Sequence, residues 1–533
     1  MELLGRRMNW RAYRLSAQAL FARMWRVAAT REGGFVVALM LAALVVRLPL
    51  MTFHGYYTDL NTYVGWGDIV NDDFATIYTT TTADAVSANA ASSAANSSAA
   101  NSSAANGSAT GNGRANPGGN PVGNSGGPGS GPGTRNAGGG AGFSANYINY
   151  PPGTPYLFGV VVYFYAHLAS ASHASLDTLV RQDGIGPFLA KIWLLLADLA
   201  GTLLLFIWAR KRHSTRFALL AAASWAFSPA LLYNGVIWGQ TDALVALPLL
   251  AALFALVSEA YVLGGVSLAL AILIKPQPVI FVPLMLLYLV RWAHREDVIT
   301  FAGAGLLTGL VLLAPVLVPH FQLFDMLRNM QAESYNDTIA LSSDAFNFWW
   351  LIGYAHQPIG GAFLGIKSGL VGDVFFGAVT LLCAVQVWRS REPVVLCFAL
   401  AVELFGFFLF MGAQHERYLF LFIPLALASV IVAPRVWLPH LVALYLAGTA
   451  LCLLNMFVGV GGGIAANGTP IPFVTTPGLS AYLTTSFAAL SELLAWLHVL
   501  VFASAVGVLL ALGAPPAALR ASKAASASWA GQR

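Results

Sequence analysis

Apolar runs long enough to cross a lipid bilayer recur along nearly the whole 533-residue chain, and they restrict its fold more than any other feature. A helix satisfies its backbone hydrogen bonds internally within lipid, so each run is predicted to be helical. The fold class is an all-α polytopic membrane protein, a bundle of about twelve transmembrane helices with juxtamembrane helices on the outer face. We predict spans at residues 34–51, 188–209, 217–233, 242–258, 262–275, 278–291, 298–318, 371–388, 393–411, 418–433, 438–457 and 487–512.

The composition excludes a soluble globular enzyme. Hydrophobic residues make up 57% of the chain and charged residues 10%, against about 25% charged residues in a typical soluble domain. The three cysteines, Cys383, Cys397 and Cys452, all fall within apolar segments. A disulfide framework or a cysteine metal site is therefore not expected.

The positions of the basic residues predict the orientation. Twelve spans place both termini on one side, and 19 of the 28 Lys and Arg residues then lie on that side. By the positive-inside rule this side is cytoplasmic. The net charge of +5 is thus an insertion signal, and we expect no nucleic-acid partner.

Two stretches of the first outer loop are not read as spans. Residues 155–168 would place the basic cluster at 210–216 outside if they crossed, so we predict a juxtamembrane or re-entrant helix there. Residues 81–145 contain almost only Ala, Ser, Asn, Gly, Thr and Pro, with a repeated SSAAN. Because such a segment cannot bury enough apolar area, it is predicted as a disordered insert. The predicted divisions are a basic cytoplasmic arm at 1–33, a transmembrane domain at 34–80 and 146–512, the insert, and a cytoplasmic tail at 513–533.

Five polar motifs lie near the predicted outer surface although they come from distant parts of the chain. Polar groups at membrane depth cost about 2.5–3.5 kcal/mol each on insertion scales, so they tend to mark pathways or sites. The motifs are YYTD with Asp59, NYPPG with Tyr150, Pro151 and Pro152, WGQTD with Trp238, Gln240 and Asp242, KPQ with Lys275 and Gln277, and HERY with His415, Glu416 and Arg417.

Each motif has a functional and a structural interpretation. Asp59 is suited to remove a proton from an acceptor hydroxyl or to bind a metal, but a lone loop aspartate is more often only solvated. Lys275 and Arg417 are suited to an anion such as a lipid phosphate; the alternatives are snorkelling and a helix-end ion pair. Asp198, inside a span, either lines a cavity or pairs across helices, and the sequence leaves both open.

The WGQTD motif is interpreted as a sugar-binding element, and the NYPPG motif as a turn. Trp238, Gln240 and Asp242 combine an aromatic plate with hydrogen-bonding groups that suit a sugar ring, or form an interfacial Trp beside a helix cap. The pair Pro151 and Pro152 forces an extended turn before the juxtamembrane helix, which alone is an architectural role.

Taken together, these motifs resemble the GT-C superfamily of membrane glycosyltransferases. WGQTD, IKPQ and HERY are similar to the bacterial branch related to the second mannosyltransferase of GPI-anchor synthesis and to polyprenol-dependent mannosyltransferases. The resemblance covers most of residues 34–457. The insert at 81–145 departs from it, because it separates Asp59 from the proline pair.

The resemblance implies an inverting transfer of a sugar, mannose first among the candidates, from a polyprenyl-phosphate donor to an acceptor hydroxyl. Asp59 would be the general base, while Lys275, His415 and Arg417 would hold the donor phosphate. The sugar or acceptor pocket would contain Trp238, Gln240, Asp242 and Gln277. Some members use a divalent cation, but no second acid lies directly beside Asp59, so an obligatory metal is not expected. The acceptor, a lipid, a glycan or a protein, stays open.

Other functions also fit a polytopic membrane protein. A transporter or flippase would show polar groups at mid-membrane and an internal repeat, and neither is evident. A glycan polymerase or ligase with a polyprenyl-diphosphate donor would use basic residues of the loop at 319–370, such as Arg328 and His356, but leaves Asp59 and Lys275 without a role. The expected location is a bacterial cytoplasmic membrane, with the site facing outward.

Overall fold

A computed structural model describes residues 31–72, 74, 77, 78, 148–168, 176–318, 320–334, 336–464 and 477–513 of the chain. The described residues are 77% helical with almost no sheet, which confirms an all-α polytopic membrane protein. The predicted insert at 81–145, most of the N-terminal arm and nearly all of the predicted tail lie outside the described residues.

Up to residue 317, the described part of the chain contains twelve α-helices and two irregular helical segments. A π-helix at Leu232–Trp238 follows α8, and a 3₁₀-helix at Gln277–Phe281 precedes α11. The α-helices are α1 (Arg31–Met51), α2 (Tyr57–Asp72), α3 (Gly153–Leu168), α4 (Leu176–Leu179), α5 (Ile185–Ala190), α6 (Ile192–Arg210), α7 (Thr215–Ala226), α8 (Pro229–Leu231), α9 (Asp242–Val257), α10 (Tyr261–Ile274), α11 (Val282–Trp292) and α12 (Arg295–Leu317).

From residue 320 onward, the described residues add seven α-helices and four two-residue strands. The strands pair as β1 with β4 in parallel and β2 with β3 antiparallel, and a second π-helix, Gly459–Ile464, follows α18. The elements are α13 (Leu323–Ser334), β1 (Ser342–Ser343), α14 (Phe348–Leu351), β2 (Ala362–Phe363), β3 (Ile366–Lys367), α15 (Ser368–Arg389), α16 (Pro393–Phe410), β4 (Gln414–His415), α17 (Phe422–Val432), α18 (Leu438–Val458) and α19 (Pro477–Leu512).

Each of the twelve predicted spans falls on a helical segment of the structure. Among the residues that the structure describes, eight helices are long and apolar enough to cross a membrane. The shorter apolar helices are Asp242–Val257, Tyr261–Ile274, Gln277–Trp292 and Phe422–Val432. The stretch at 155–168, which is not read as a span, forms α3. It packs on α2 rather than among the long helices.

Helix α16 is the centre of the bundle. In its 18-residue apolar stretch 83% of the residues are buried, against 6% in the corresponding stretch of α12. It packs against α15, α17 and α19. A second apolar cluster joins α2 and α3 with Val316 and Met326. Helices α2 and α3 therefore form a separate layer at one end of the bundle, where the polar motifs converge.

One buried ion pair fixes α1 to α6. Arg47 Nε lies 3.1 Å from Asp198 Oδ2, and both side chains are fully buried. Arg47 Nη1 also donates to the carbonyl of Ala226 at 2.6 Å. Of the two interpretations left open for Asp198, the structure shows pairing across helices.

Candidate active site

Asp59 lies in the first turn of α2 and contacts two residues of the WGQTD motif. Its Oδ2 accepts a hydrogen bond from Trp238 Nε1 at 2.9 Å and another from Gln240 Nε2. Tyr63, one turn further along α2, donates to Gln240 Oε1 at 3.0 Å. Because Tyr63 occupies the amide oxygen, the amide nitrogen of Gln240 is directed at Asp59.

Burial raises the pKa of Asp59 above the usual value of 3.8, while Arg417 and the hydrogen bond from Trp238 act in the opposite direction. A carboxylate with a raised pKa is a stronger base than an ordinary aspartate. Burial also raises the pKa of Tyr150 to about 12 and that of Tyr63 well above its usual value. Both phenols therefore remain neutral hydrogen-bonding groups near Asp59.

The loop before α2 is seated on the end of the first π-helix. Gly55 has φ +60°, and a Cβ atom at this position would collide with the carbonyl groups of Ile237 and Trp238. Lys191, which is fully buried, donates to the carbonyls of Phe53 at 2.6 Å and Ile237 at 2.8 Å. These contacts fix the distance between Asp59 and Trp238, and the sequence analysis identified neither Gly55 nor Lys191.

Lys275 forms the second part of the site. The prolines at 276 and 278 end α10 as predicted, and Lys275 itself is extended, with φ −148° and ψ 139°. Its Nζ lies 2.5 Å from Asp242 Oδ1, and both side chains are almost fully buried. Asn234 of the π-helix donates to the other Asp242 oxygen at 3.0 Å. Asp242 is therefore held by Lys275 and by Asn234, which the sequence analysis did not identify either.

Arg417 is placed between the two parts. Its Cζ lies 5.6 Å from the ring centre of Trp238 and 5.8 Å from that of Tyr418. Lys275 Nζ lies 5.1 Å from the same Tyr418 ring. Two cations, Lys275 and Arg417, therefore lie beside the ring of Tyr418. Arg417 is also close enough to Asp59 to interact with its charge.

Glu416 balances part of this positive charge. Burial would raise its pKa, but Arg417 and His415 outweigh burial and hold the pKa of Glu416 at about 2. Arg417 Nη1 lies 2.6 Å from Glu416 Oε1, and His415 Nδ1 lies 3.8 Å from Glu416 Oε2. Since Glu416 is ionised at neutral pH, it compensates the charge of Arg417, while the carboxyl group of Asp242 lies against Lys275.

The HERY segment is held by two further elements. Strand β4 pairs with β1, so Ser343 lies opposite His415. Asn455 of α18 donates to the carbonyls of Asp344 at 2.9 Å and Glu416 at 3.0 Å. Gln277, which was assigned to the pocket, donates to the carbonyl of Tyr418 at 3.0 Å. Its amide nitrogen therefore positions the backbone beside Arg417.

The proline pair lies directly behind Lys275. Pro151 and Pro152 are buried and α3 begins immediately after them. Thr154 donates to the carbonyl of Ile274 at 2.6 Å, and the Tyr150 ring packs 5.1 Å from that of Trp66. The structure thus brings all five motifs together, although they span residues 56–418 of the chain.

The described residues contain no group of three or more His, Cys, Asp or Glu side chains that could hold a metal ion. What this part of the chain does offer is a buried carboxylate, two cations beside one aromatic ring, and amide and indole donors. This combination suits deprotonation of a hydroxyl next to a bound anion.

The comparison with known families agrees with this chemistry. Residues 150–412 match the model of glycosyltransferase family 87, a GT-C-type family of membrane glycosyltransferases. The match indicates a membrane glycosyltransferase. A search of the curated proteins found no match.

The matched region of this membrane glycosyltransferase includes the proline pair, Trp238–Asp242 and Lys275, but it begins after Asp59 and ends before Arg417. The family match therefore supports the scaffold and three of the five polar motifs. The contacts of Asp59 with Trp238 and Gln240, and of Arg417 with Trp238, connect the unmatched residues to the matched ones. The relation to the second mannosyltransferase of GPI-anchor synthesis has no support in the comparison.

Proposed function

We propose that this glycosyltransferase moves a sugar from a polyprenyl-phosphate donor to an acceptor hydroxyl on the outer face of the cell membrane, with inversion at the anomeric carbon. The observation that carries the proposal is the contact chain from Asp59 through Trp238 to Arg417, Tyr418 and Lys275. It supports the proposal because the Asp59 carboxylate lies near two cations, and an inverting transfer from a lipid phosphate needs a base and a cationic phosphate site.

In this mechanism Asp59 accepts the proton of the acceptor hydroxyl while that oxygen attacks the anomeric carbon. The bond between this carbon and the donor phosphate oxygen breaks, and the lipid phosphate leaves with the electron pair. Arg417 and Lys275 stabilise the developing negative charge, because preorganised cations in a buried site need little reorganisation. His415, whose side chain is 38% exposed, would contact the phosphate from the solvent side.

Trp238 and Gln240 serve the base directly, since both donate to the Asp59 carboxylate. Their hydrogen bonds orient the second carboxylate oxygen, Oδ1, as the one that takes the proton. The sugar would then lie against the Trp238 ring, near Arg417. We propose mannose as the first sugar to test, on the similarity of the HERY, WGQTD and IKPQ motifs alone.

The direct test is sugar transfer by the purified protein in nanodiscs, with polyprenyl-phosphate mannose and an extract of membrane glycolipids as acceptor. We expect Asp59→Asn to lower the rate about 10²- to 10⁴-fold, the usual contribution of a general base. Asp72→Asn is the matched control, because Asp72 is exposed at the other end of the same helix. Its rate should equal that of the wild type.

Donor binding separates a loss of chemistry from a loss of binding. Asp59→Asn should bind polyprenyl phosphate as the wild type does, whereas Lys275→Met should bind it less tightly. Equal transfer rates for Asp59→Asn and the wild type would contradict the role of Asp59. Transfer from a polyprenyl-diphosphate sugar but not from the monophosphate would favour a polymerase or ligase instead.

A further inference from the structure

A cavity of about 270 Å³ lies at the end of the bundle opposite the candidate active site. Three helices connect the two places: α9 runs from Asp242 to the cavity, α10 runs from the cavity to Lys275, and α16 runs from Pro393 to the residues before His415. With sixteen residues in α9, the separation is about 24 Å at 1.5 Å per residue. The cavity is therefore a separate location from the site.

The cavity has an apolar floor and aromatic walls. Leu256 and Leu289 are almost completely buried at its base, while Tyr261, Tyr288 and Trp292 line its sides. Tyr288 Oη donates to the carbonyl of Arg391 at 2.9 Å, and Trp292 Nε1 donates to that of Val387 at 3.0 Å. Because the polar atoms of these two rings are satisfied elsewhere, their contribution to the cavity is aromatic surface.

The rim of the cavity carries charges of both signs. Glu259, Glu392 and Arg391 line it and all three are exposed. The neighbouring Arg291 lies over the ring of Trp292, with Cζ 4.2 Å from its centre, and 5.1 Å from that of Trp388. The rim itself thus has two carboxylates to one guanidinium. Because Arg291 already covers one face of Trp292, the lining rings of Tyr261 and Tyr288 are the ones that can attract a further cation.

Glu259 occupies a backbone conformation that a non-glycine residue adopts only at a cost. Its φ is +58°, and the turn has the hydrogen bond of a glycine-type helix end, from Ala260 N to the carbonyl of Ala255 at 2.8 Å. Glycine would fill this position with less strain. The described structure gives the Glu259 carboxylate no hydrogen-bond or ion-pair partner, so the fold itself does not explain a glutamate here.

We propose that this cavity binds the headgroup of one zwitterionic, amine-bearing phospholipid. The ammonium group would lie between the carboxylates of Glu259 and Glu392 and the aromatic walls, and the phosphate would lie on Arg391. The rim is at the ends of the apolar helices α9, α10 and α16, which is the depth of lipid headgroups. The volume suits a headgroup with its glycerol rather than an acyl chain.

The test uses the full-length protein, delipidated in detergent and then exposed to phosphatidylethanolamine or phosphatidylglycerol, with bound lipid counted by native mass spectrometry. We expect wild-type protein to prefer phosphatidylethanolamine. The double variant Glu259→Gly/Glu392→Gln should bind it about tenfold less tightly, the size expected when an ammonium loses its charged partners. Glu296→Gln, an exposed acid in the first turn of α12, is the matched control and should bind as the wild type does.

The unfolding midpoint of the double variant separates a folding defect from a loss of binding. Glu259→Gly relieves the left-handed strain and Glu392→Gln removes no side-chain hydrogen bond at the start of α16, so the midpoint should not fall. Equal affinity of the double variant and the wild type would overturn the proposal, and so would an equal preference for phosphatidylglycerol. Glycerophosphoethanolamine, the soluble headgroup, separates the two sources of the amine. If it bound as tightly as the lipid, the site would be one for a soluble zwitterion and the proposal would be wrong.

Discussion

Two buried ion pairs in this protein have similar geometry and different surroundings. Arg47 and Asp198 lie 3.1 Å apart between α1 and α6, and Lys275 and Asp242 lie 2.5 Å apart beside the candidate active site. The first pair joins two regular helices, and Arg47 Nη1 also donates to the backbone carbonyls of Ala43 and Ala226. Its role is fully explained by helix packing.

The second pair lies where regular helices stop. Lys275 is extended between α10 and the 3₁₀-helix, and Asn234, which binds Asp242, belongs to a π-helix. Lys275 also shares the ring of Tyr418 with a second cation, Arg417. Burial of an ion pair alone therefore does not mark a candidate site. The pair of Lys275 and Asp242 differs from the other because irregular backbone surrounds it and a second cation, Arg417, lies on the same tyrosine ring.

The largest expected effect is on the stability of the helix-packing pair. Arg47→Met leaves Asp198 buried without its partner, which should destabilise the protein by about 3–5 kcal/mol. The midpoint of denaturant or thermal unfolding in detergent measures this loss. Arg216→Met, at an exposed arginine of α7, is the control; an equal loss for the two variants would contradict the assignment.

Double variants test whether the two buried ion pairs have different roles. Arg47→Met/Asp198→Leu replaces an ion pair by apolar side chains, so it should regain most of the lost stability and keep transferase activity. Lys275→Met/Asp242→Leu should regain stability in the same way but transfer sugar about 100-fold more slowly, because the phosphate loses one cation. Unfolding midpoints and initial rates of the two variants distinguish these outcomes. Equal rates would mean that both pairs are structural.

The pH dependence of kcat/KM tests whether Arg417 lowers the pKa of Asp59. The Asp59 base must be ionised, so the rate should fall as pH is lowered through its raised pKa. Arg417→Gln removes the largest opposing influence, and the acid limb of kcat/KM should then move to higher pH. Glu416, His415, Trp238 and the phenols of Tyr63 and Tyr150 also surround Asp59. An acid limb at the same pH in both proteins would show that Arg417 does not act on Asp59.

We expect the smallest effect at Gly55, where the loop before α2 packs against the end of the first π-helix. Gly55→Ala places a Cβ against the carbonyls of Ile237 and Trp238 in a left-handed conformation, at a cost of about 1–2 kcal/mol. Displacement of Asp59 should lower kcat about tenfold with less change in KM. Gly34→Ala is the control, because no atom lies within 4 Å of its added Cβ. A wild-type kcat for Gly55→Ala would show that the close contact of Gly55 with these carbonyls does not position Asp59.

Much of the fold follows from the sequence because apolar runs and prolines act locally. All twelve predicted spans fall on helical segments, and Pro276 ends α10 at the predicted place. The stretch of α3 was separated from the spans by charge placement, and it indeed packs with α2 outside the central bundle. Apolar runs, prolines and basic residues were sufficient for these elements.

The site was less predictable, because its contacts join distant residues. Motif chemistry selected Asp59, Lys275 and Arg417, but it could not pair Lys275 with Asp242, which lies 33 residues earlier. Tyr63 and Lys191 have no motif of their own, and Asn455 is an isolated polar residue in an apolar helix. Spacing offered one usable signal: Tyr63 lies four residues after Asp59 on the same helix face.

The ion pair between α1 and α6 also has a consequence for biosynthesis. Asp198 follows Arg47 by 151 residues, so at about 5–20 residues per second the arginine waits roughly 8–30 s for its partner. During that interval Arg47, four residues from the end of α1, can keep its guanidinium at the lipid–water boundary. The first helix therefore enters the bilayer incompletely satisfied, and its final depth is set only when α6 arrives.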